Sequence, residues 1–357
     1  MLLNIILFVL LLSVIVLIHE FGHFITAKLF NVYVQEFSIG MGPKVFSKKG
    51  KETEYSIRAL PIGGFVAMAG DESNESVETQ VDTTNIPKDR CLNNIHPLKR
   101  VVVMSAGIIM NFVLAIVIVS MVYLSFGQIS VAGKPIVEDV LENYPAYGKI
   151  EKGDYIKEIE FTNGYRIRPR DFDEISTFLA AYDGVGEITF TINRDGENVI
   201  VVLKPVYNEE MSSYMVGIQS AQREIVKINF LNSFKYGFDY LINITKITLV
   251  ALLGLFRGVG FENLGGPVAV YQVTSQAVSM GLITYLNLMA IFSVNIGLMN
   301  ALPLPILDGG RIVLLIIESI IKRPISKKVQ NFIMSLSAAL LILLVILITF
   351  KDIMKLI

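Results

Sequence analysis

Two of the three histidines in this 357-residue chain have the spacing of metal ligands. They lie in the segment His19-Glu20-Phe21-Gly22-His23, an HExxH pattern. Residues i and i+4 of a helix share one face, so the two imidazoles can bind one metal ion together. Glu20 is then placed to accept a proton from a water molecule that the metal activates. The pattern predicts hydrolytic metal chemistry.

A catalytic zinc ion usually has three protein ligands, and the sequence offers two candidates for the third. The extended pattern HExxHxxGxxH is absent, because Thr26 and Leu29 stand at the required positions. The remaining histidine, His96, lies in a polar loop, where an ordinary surface role is favoured. Asp308 lies in an otherwise apolar region interrupted by prolines and glycines. It could cap the helix that follows it, but we favour metal binding.

Four uncharged apolar stretches are long enough to cross a bilayer, which requires about 20 residues. They are residues 2–18, whose apolar character continues in helical register beyond residue 18, and residues 101–126, 282–302 and 331–350. The chain is 53% hydrophobic and only 18% charged, which excludes an ordinary water-soluble protein. Its 31 basic and 32 acidic residues give no excess of positive charge for binding nucleic acid. The HExxH segment directly follows the first stretch, where ionisable side chains are costly and are usually functional.

The distribution of lysine and arginine predicts the orientation of these stretches. Basic residues are concentrated between the first and second stretches and again between the third and fourth, which places both loops on the cytoplasmic side. Residues 128–230 are then outside the cell. The segment 230–258 carries charges along an amphipathic helical pattern, so we predict that it lies in the membrane interface. A crossing there would reverse the last two spans.

The external segment predicts a small β-rich domain. Alternating strands are expected at 156–161, 187–193 and 198–204, with the last two joined by a turn at Asp195-Gly196. A short helix is expected at 171–181 with Asp171 as its N-cap. This order of elements resembles a PDZ domain, which implies a groove for an extended peptide end. A spacer without a ligand remains the alternative.

With all of these features combined, the chain resembles the site-2 protease family of intramembrane zinc metalloproteases. The likeness is to the bacterial branch of regulator-of-sigma-E proteases, which carry a PDZ insertion. The resemblance rests on HEFGH at 19–23, the stretch from Asn300 to Gly310 with its LDG core, Gly63-Gly64-Phe65, Gly42-Pro43-Lys44 and Leu264-Gly265-Gly266-Pro267.

The resemblance implies a polytopic α-helical membrane protein of four transmembrane helices, with a membrane-associated β-loop and an inserted extracytoplasmic PDZ-like domain. It implies Zn²⁺ bound by His19, His23 and Asp308, with Glu20 as general base. It suggests that Asn300 positions the substrate or stabilises the tetrahedral intermediate. It also implies that a β-loop over 38–66 holds the substrate segment extended at its edge.

The resemblance further implies a cellular location and a substrate class. The location is the bacterial cell membrane, with the active site toward the cytoplasm. The substrates are single-pass membrane proteins, such as an anti-sigma factor already cut by another protease, or leftover signal peptides. Many relatives carry two PDZ domains, whereas this chain has room for one. Peptide C-termini are possible ligands of that domain.

The expected organisation has seven parts. They are the first span with HExxH (1–30), the cytoplasmic-side loop (31–100), the second span (101–127), the PDZ-like domain (128–220), the interfacial helix (230–258), the third span with LDG (282–321) and the fourth span (329–351).

Two other functions compete with this one. A membrane-anchored protease of soluble proteins, with a downstream glutamate as third ligand, would keep its HExxH in a hydrophilic domain. A non-catalytic scaffold that presents the PDZ-like domain around a structural metal would not need a base. The apolar stretch beside HExxH disfavours the first, and Glu20 disfavours the second.

Overall fold

The computed structural model describes residues 2–71, 81–162, 164–180, 182, 184–208, 213–220, 223–256, 264–323 and 325–354. Parts of several predicted segments lie outside these residues: residue 1 of the first span, 72–80 of the cytoplasmic-side loop, 163, 181, 183 and 209–212 of the PDZ-like domain (181 also ends its short helix), and 257–258 of the interfacial helix. The chain forms two compact units. The membrane unit contains Met1–Val122, Phe234–Thr245 and Asn263–Ile357, and the β-rich unit contains Tyr123–Ser233 and Lys246–Glu262.

The described helices and strands are as follows. The helices are α1 (Leu2–Leu29), α2 (Pro97–Phe126), α3 (Phe172–Ala180), α4 (Phe230–Phe256), α5 (Pro267–Met280), α6 (Leu282–Asn300), α7 (Asp308–Ile321) and α8 (Lys327–Met354). The strands are β1 (Val34–Lys49), β2 (Glu54–Met68), β3 (Gln128–Val131), β4 (Val137–Val140), β5 (Tyr155–Phe161), β6 (Arg166–Ile167), β7 (Ile188–Arg194), β8 (Glu197–Leu203), β9 (Val206–Asn208), β10 (Ser213–Met215), β11 (Ile218–Ser220) and β12 (Glu224–Lys227).

Five of the described helices are long and apolar enough to cross a membrane: α1, α2, α4, α6 and α8. They include the four predicted spans, and α2 begins at Pro97, four residues before the predicted start. Helix α4 also qualifies, although it is the least apolar of the five and differs little from α6. Length and composition therefore do not separate a crossing α4 from an interfacial one, and its interfacial placement stays a prediction.

The predicted third span is two helices separated by a break. Helix α6 ends at Asn300 and α7 begins at Asp308. A β-carbon on Gly309 would lie 2.2 Å from the Ala301 carbonyl oxygen, and one on Gly310 would lie 2.1 Å from that of Leu304. Only glycine allows the start of α7 to pack so closely against the break. The two glycines after the aspartate therefore bring the first turn of α7 back beside the end of α6.

Helix α5 was not predicted from the sequence. Gly266 is its N-cap and Pro267 is its first residue, a favoured position for proline. Asp352, near the end of α8, is buried and accepts hydrogen bonds from the backbone N–H groups of Gly266 (2.8 Å) and Ala269 (3.1 Å). A carboxylate that is distant in sequence therefore caps α5, and Pro267 at the first position was the local signal that the sequence analysis did not use.

Strands β1 and β2 both bend, and their segments therefore form a sheet in which more than two extended segments lie side by side. Residues 36–39 of β1 have partners on both sides, Glu54–Ile57 and Gly64–Ala67 of β2. Residues 44–49 of β1 pair with the first part of β2 again. Gly40 and Gly63 have positive φ (86° each), which permits the bends. Residues 64–67 thus form an edge that no further described strand covers.

The β-rich unit contains an antiparallel sheet in the order β6-β5-β7-β8. The turn between β7 and β8 is confirmed, with φ of 52° at Asp195 and 91° at Gly196. The N-cap of α3 is confirmed as well, because Asp171 Oδ1 accepts the Glu174 N–H at 2.9 Å. Fully buried residues of β5, β7 and α3, including Phe190, form the core of this unit.

Candidate metal centre

Three side-chain atoms converge where α1 meets the start of α7. His19 Nε2 lies 3.2 Å from His23 Nε2, and Asp308 Oδ2 lies 3.0 Å and 3.3 Å from these two nitrogens. All three side chains are buried, and they form the only described group of three or more His, Cys, Asp or Glu residues that could bind a metal ion. The i, i+4 spacing in α1 brings the imidazoles together, as predicted, and the glycine-rich start of α7 brings the carboxylate.

The spacing of these atoms fits zinc. Ligand atoms about 2.0–2.2 Å from a tetrahedral zinc ion are about 3.3–3.6 Å from one another. The observed distances of 3.0–3.3 Å are close to this value. Asp308 Oδ2 is buried without a hydrogen bond within the described part of the chain. Three lone pairs that face one another repel unless a cation lies between them, so this donor set fits a divalent metal.

Helix α2 supports the imidazoles from the other side. His23 Nδ1 lies 2.8 Å from the Val103 carbonyl oxygen, which can only accept a hydrogen bond. Nδ1 therefore carries the proton and Nε2 keeps its lone pair, the state that a metal ligand requires. One turn later on α2, a β-carbon on Gly107 would lie 2.5 Å from His23 Nε2 and 2.7 Å from His19 Nε2. Gly107 therefore leaves the space that the ligands occupy.

The glycine within HEFGH has a packing role. A β-carbon on Gly22 would lie 2.4 Å from the carbonyl oxygen of Ala106. Gly22 and Gly107 thus allow α1 and α2 to approach each other closely at the depth of the metal centre. This close approach is what brings the two imidazoles within hydrogen-bonding distance of α2.

A cavity of about 410 Å³ opens beside the three ligands. Glu20 and Asn300 line it together with all three ligands, and Arg311 follows one turn after Asp308. The wall opposite is formed by Met41 of β1 and by the edge segment of β2, including Gly64, Phe65 and Val66. Gly64 packs against both β1 and α1, since a β-carbon added to it would lie 2.7 Å from the Ser38 carbonyl oxygen and 3.6 Å from Glu20 Cγ.

All five predicted site residues, His19, Glu20, His23, Asn300 and Asp308, lie around this one cavity. His96 lies elsewhere: it is exposed, and its Nδ1 accepts the Leu98 N–H at 3.3 Å in the turn before α2. The sequence analysis missed Gly107 and Asn111, the α2 residues that approach the imidazoles. An amide within an uncharged span was the available signal for Asn111.

Comparison with known proteins agrees with this geometry. Residues 7–344 match the model of peptidase family M50. The chain belongs to the M50 peptidases, the site-2 protease family. Among similar proteins, one from Clostridium acetobutylicum is 36% identical over 352 residues. The alignment covers 98% of this chain and 97% of that protein. One of Clostridium perfringens is 37% identical over 346 residues, covering 96% of each chain. One of Staphylococcus aureus is 29% identical, covering 99% of each chain. All three carry the name "putative zinc metalloprotease".

Two PDZ domains are among the solved structures that match. The PDZ domain of an SdrC-like protein of Listeria innocua aligns with a TM-score of 0.23 and 17% identity, covering 26% of this chain and 98% of that domain. A Listeria monocytogenes counterpart aligns with a TM-score of 0.21, covering 25% and 87%. Family membership and the five apolar helices together identify this M50 peptidase as a multi-pass membrane metalloprotease.

Proposed function

We propose that this M50 peptidase is an intramembrane zinc metalloendopeptidase. It hydrolyses peptide bonds in or next to the transmembrane segments of single-pass membrane proteins. The observation that carries the proposal is the position of the candidate site. Two imidazoles, a carboxylate and Glu20 surround one cavity, and three of these four residues lie on α1, an apolar helix long enough to span a membrane.

His19, His23 and Asp308 would hold the metal ion. When bound, zinc lowers the pKa of a water molecule to about 7 and polarises the carbonyl group of the scissile bond. Glu20 lies on the same helix as both histidines and lines the cavity, so it is placed to take a proton from the attacking water. It then returns that proton to the leaving amine, as a general base that becomes a general acid.

The edge of the β1–β2 sheet supports a way to present the substrate. Gly64, Phe65 and Val66 line the cavity, and the edge formed by residues 64–67 has no further described strand beside it. An extended peptide can add to such an edge by main-chain hydrogen bonds. Extension is needed, because the carbonyl groups of a helical segment are occupied by hydrogen bonds within the helix. Asn300, at the end of α6, would position the substrate or stabilise the developing oxyanion.

The same arrangement and the resemblance support a proposed substrate class and location. An anti-sigma factor already shortened by another protease, or a signal-peptide remnant, is a single-pass segment of the required kind. The chain would lie in the bacterial cell membrane, with its site toward the cytoplasm and the PDZ-like domain outside. A shallow cavity of about 180 Å³ between α3 and residues 214–218 is where a peptide C-terminus would bind.

The proposal is tested on the full chain purified in detergent, with measurements of zinc content and of cleavage of a single-pass model substrate. We expect about one zinc per chain in the wild type, and in Glu20→Gln as well, because Glu20 is not a ligand. We expect zinc to be lost or weakened in His23→Ala and in Asp308→Ala. Cleavage should stop in all three variants.

Each contrary result has a definite meaning. Cleavage by Glu20→Gln would refute the general-base role. Zinc retained in Asp308→Ala would move the third ligand elsewhere. Wild-type protein that binds zinc but cuts only soluble proteins would support the membrane-anchored protease instead. Wild-type protein without zinc in chelator-free buffer would support the scaffold.

A further inference from the structure

Asn111 of α2 is a buried amide whose oxygen has no hydrogen-bond partner. Its side chain is fully enclosed, with a relative exposure of 0%. Nδ2 lies 3.3 Å from His19 Nδ1, while Oδ1 is buried and makes no hydrogen bond within the described residues. A buried polar atom without a partner is destabilising, so the orientation of this amide is unfavourable as it stands.

The histidine beside it is a candidate metal ligand. His19 offers Nε2 to the same point as His23 Nε2 and Asp308 Oδ2. Binding through Nε2 requires a lone pair there, which leaves the ring proton on Nδ1. Nδ1 is then a hydrogen-bond donor and needs an acceptor. The Nδ2 group of an amide is also a donor, so two donors would face each other across 3.3 Å.

A half-turn of the Asn111 amide removes this conflict. The two ends of an amide have nearly the same size and shape, so the rotation exchanges Oδ1 and Nδ2 without changing the packing. Oδ1 then accepts the Nδ1–H of His19 and Nε2 keeps its lone pair, while the amide nitrogen takes the position at which Oδ1 had no partner. We infer that Asn111 is a positioning residue: its carbonyl oxygen holds His19 in the Nδ1–H tautomer that binds the metal.

The arrangement on α2 supports this role. Val103, Gly107 and Asn111 follow one another at intervals of four residues and therefore lie on one face of α2. Val103 supplies the acceptor for His23, Gly107 leaves room for both rings, and Asn111 supplies the acceptor for His19. The backbone carbonyl of Asn111 also accepts the Ser293 hydroxyl of α6 at 2.7 Å, which ties this turn of α2 to a neighbouring helix.

This inference rests on the proposed zinc site, and it is tested by zinc affinity rather than by cleavage. The full chain in detergent is titrated with zinc against a chromophoric chelator. Asn111→Leu, which has a similar size and no acceptor, should bind zinc about 10–100-fold more weakly, the usual effect of losing a histidine's outer partner. Asn111→Asp keeps an acceptor and has no donor, so it should stay within about threefold of the wild type or bind more tightly.

Ser105→Ala is the matched control on α2. Within the described residues, the Ser105 hydroxyl donates a hydrogen bond to the Val101 carbonyl of its own helix at 2.8 Å, so its loss should leave zinc affinity unchanged. Unfolding measured on the zinc-free wild type and variants shows which variants are folded. If Asn111→Leu binds zinc like the wild type, or if a folded Asn111→Asp binds as weakly as Asn111→Leu, the inference is wrong.

A second measurement does not depend on whether Asn111→Asp folds. The chain has only three histidines, so ¹⁵N-histidine labelling of the zinc-loaded protein gives a simple spectrum. We expect two slowly exchanging Nδ1–H signals in the wild type. In Asn111→Leu, the His19 signal should exchange rapidly with water, whereas the His23 signal should persist because Val103 is intact. Two unchanged signals would overturn the inference.

The controls separate this inference from the proposed function. If the wild type binds zinc and His23→Ala does not, the zinc site is real, and a failure of Asn111→Leu to weaken binding refutes the role of Asn111 alone. If the wild type binds no zinc, both the proposed site and the role of Asn111 are refuted.

Discussion

Gly107→Ala tests how closely α2 approaches the metal centre. The added β-carbon would lie 2.5 Å from His23 Nε2 and 2.7 Å from His19 Nε2. Ordinary contact between such atoms requires about 3.5 Å, so the imidazoles must retreat by about 1 Å. A zinc site tolerates ligand displacements of only about 0.2 Å. We therefore expect zinc affinity to fall at least about 100-fold, which corresponds to about 2.7 kcal/mol.

The same substitution should not weaken the helix that carries it. Alanine is favoured over glycine inside a helix by about 1 kcal/mol. Without metal, the imidazoles can rotate away from the new methyl group, so the metal-free variant should unfold no more easily than the metal-free wild type. Loss of zinc binding together with intact metal-free stability separates a local steric effect from general misfolding.

The assay is zinc competition with a chelator, combined with thermal unfolding followed by circular dichroism. Ile109→Ala is a suitable control because it changes the same helix at a side chain that is 53% exposed and away from the ligands. Its zinc affinity should equal that of the wild type. Gly107→Ala protein with wild-type zinc affinity would refute the close approach of α2 and, with it, the described geometry of the two imidazoles.

Three further predictions concern the supporting structure. Burial opposes ionisation of Asp154, but hydrogen bonds from Arg194 and a backbone N–H hold the pKa of its carboxyl group below the ordinary value of 3.8. The ionised Asp154 therefore stabilises the folded protein fully above about pH 3.8, and this contribution is lost as the pH falls through the lower pKa of the folded state. Arg194→Met should destabilise the β-rich unit by about 2–4 kcal/mol at pH 7, measured by hydrogen exchange of β5 and β7, and exchange equal to the wild type would contradict it. Asp352→Ala leaves two N–H groups at the start of α5 without their acceptor. It should lower the free energy of opening for hydrogen exchange at Gly266 by about 1–2 kcal/mol, so that exchange there becomes faster; unchanged exchange would show that the cap is unimportant. Asp171→Ala removes the N-cap of α3 and should cost about 1 kcal/mol, whereas Asp171→Ser should recover most of it.

Much of the β-rich unit was predictable because its signals are local. The turn at Asp195-Gly196, the strands beside it and the N-cap Asp171 each depend on residues only a few positions apart. The start of helix α5 carries a local signal in Pro267, but its capping by Asp352 from the far end of the chain could not be predicted locally. The break between α6 and α7 was expected from its prolines and glycines, but its close packing against the start of α7 was not.

The sequence by itself determined the ligand types and the membrane character of the chain. HExxH needs only the helical period to bring His19 and His23 together, and hydropathy is a property of each stretch alone. Tertiary structure decided the rest: that Asp308 reaches those two histidines, that an edge of the β1–β2 sheet borders the cavity, and that Gly107 and Asn111 face the imidazoles. These features depend on which face of one helix packs against another and at what depth. That choice is set by close packing between distant residues, and no local pattern encodes it.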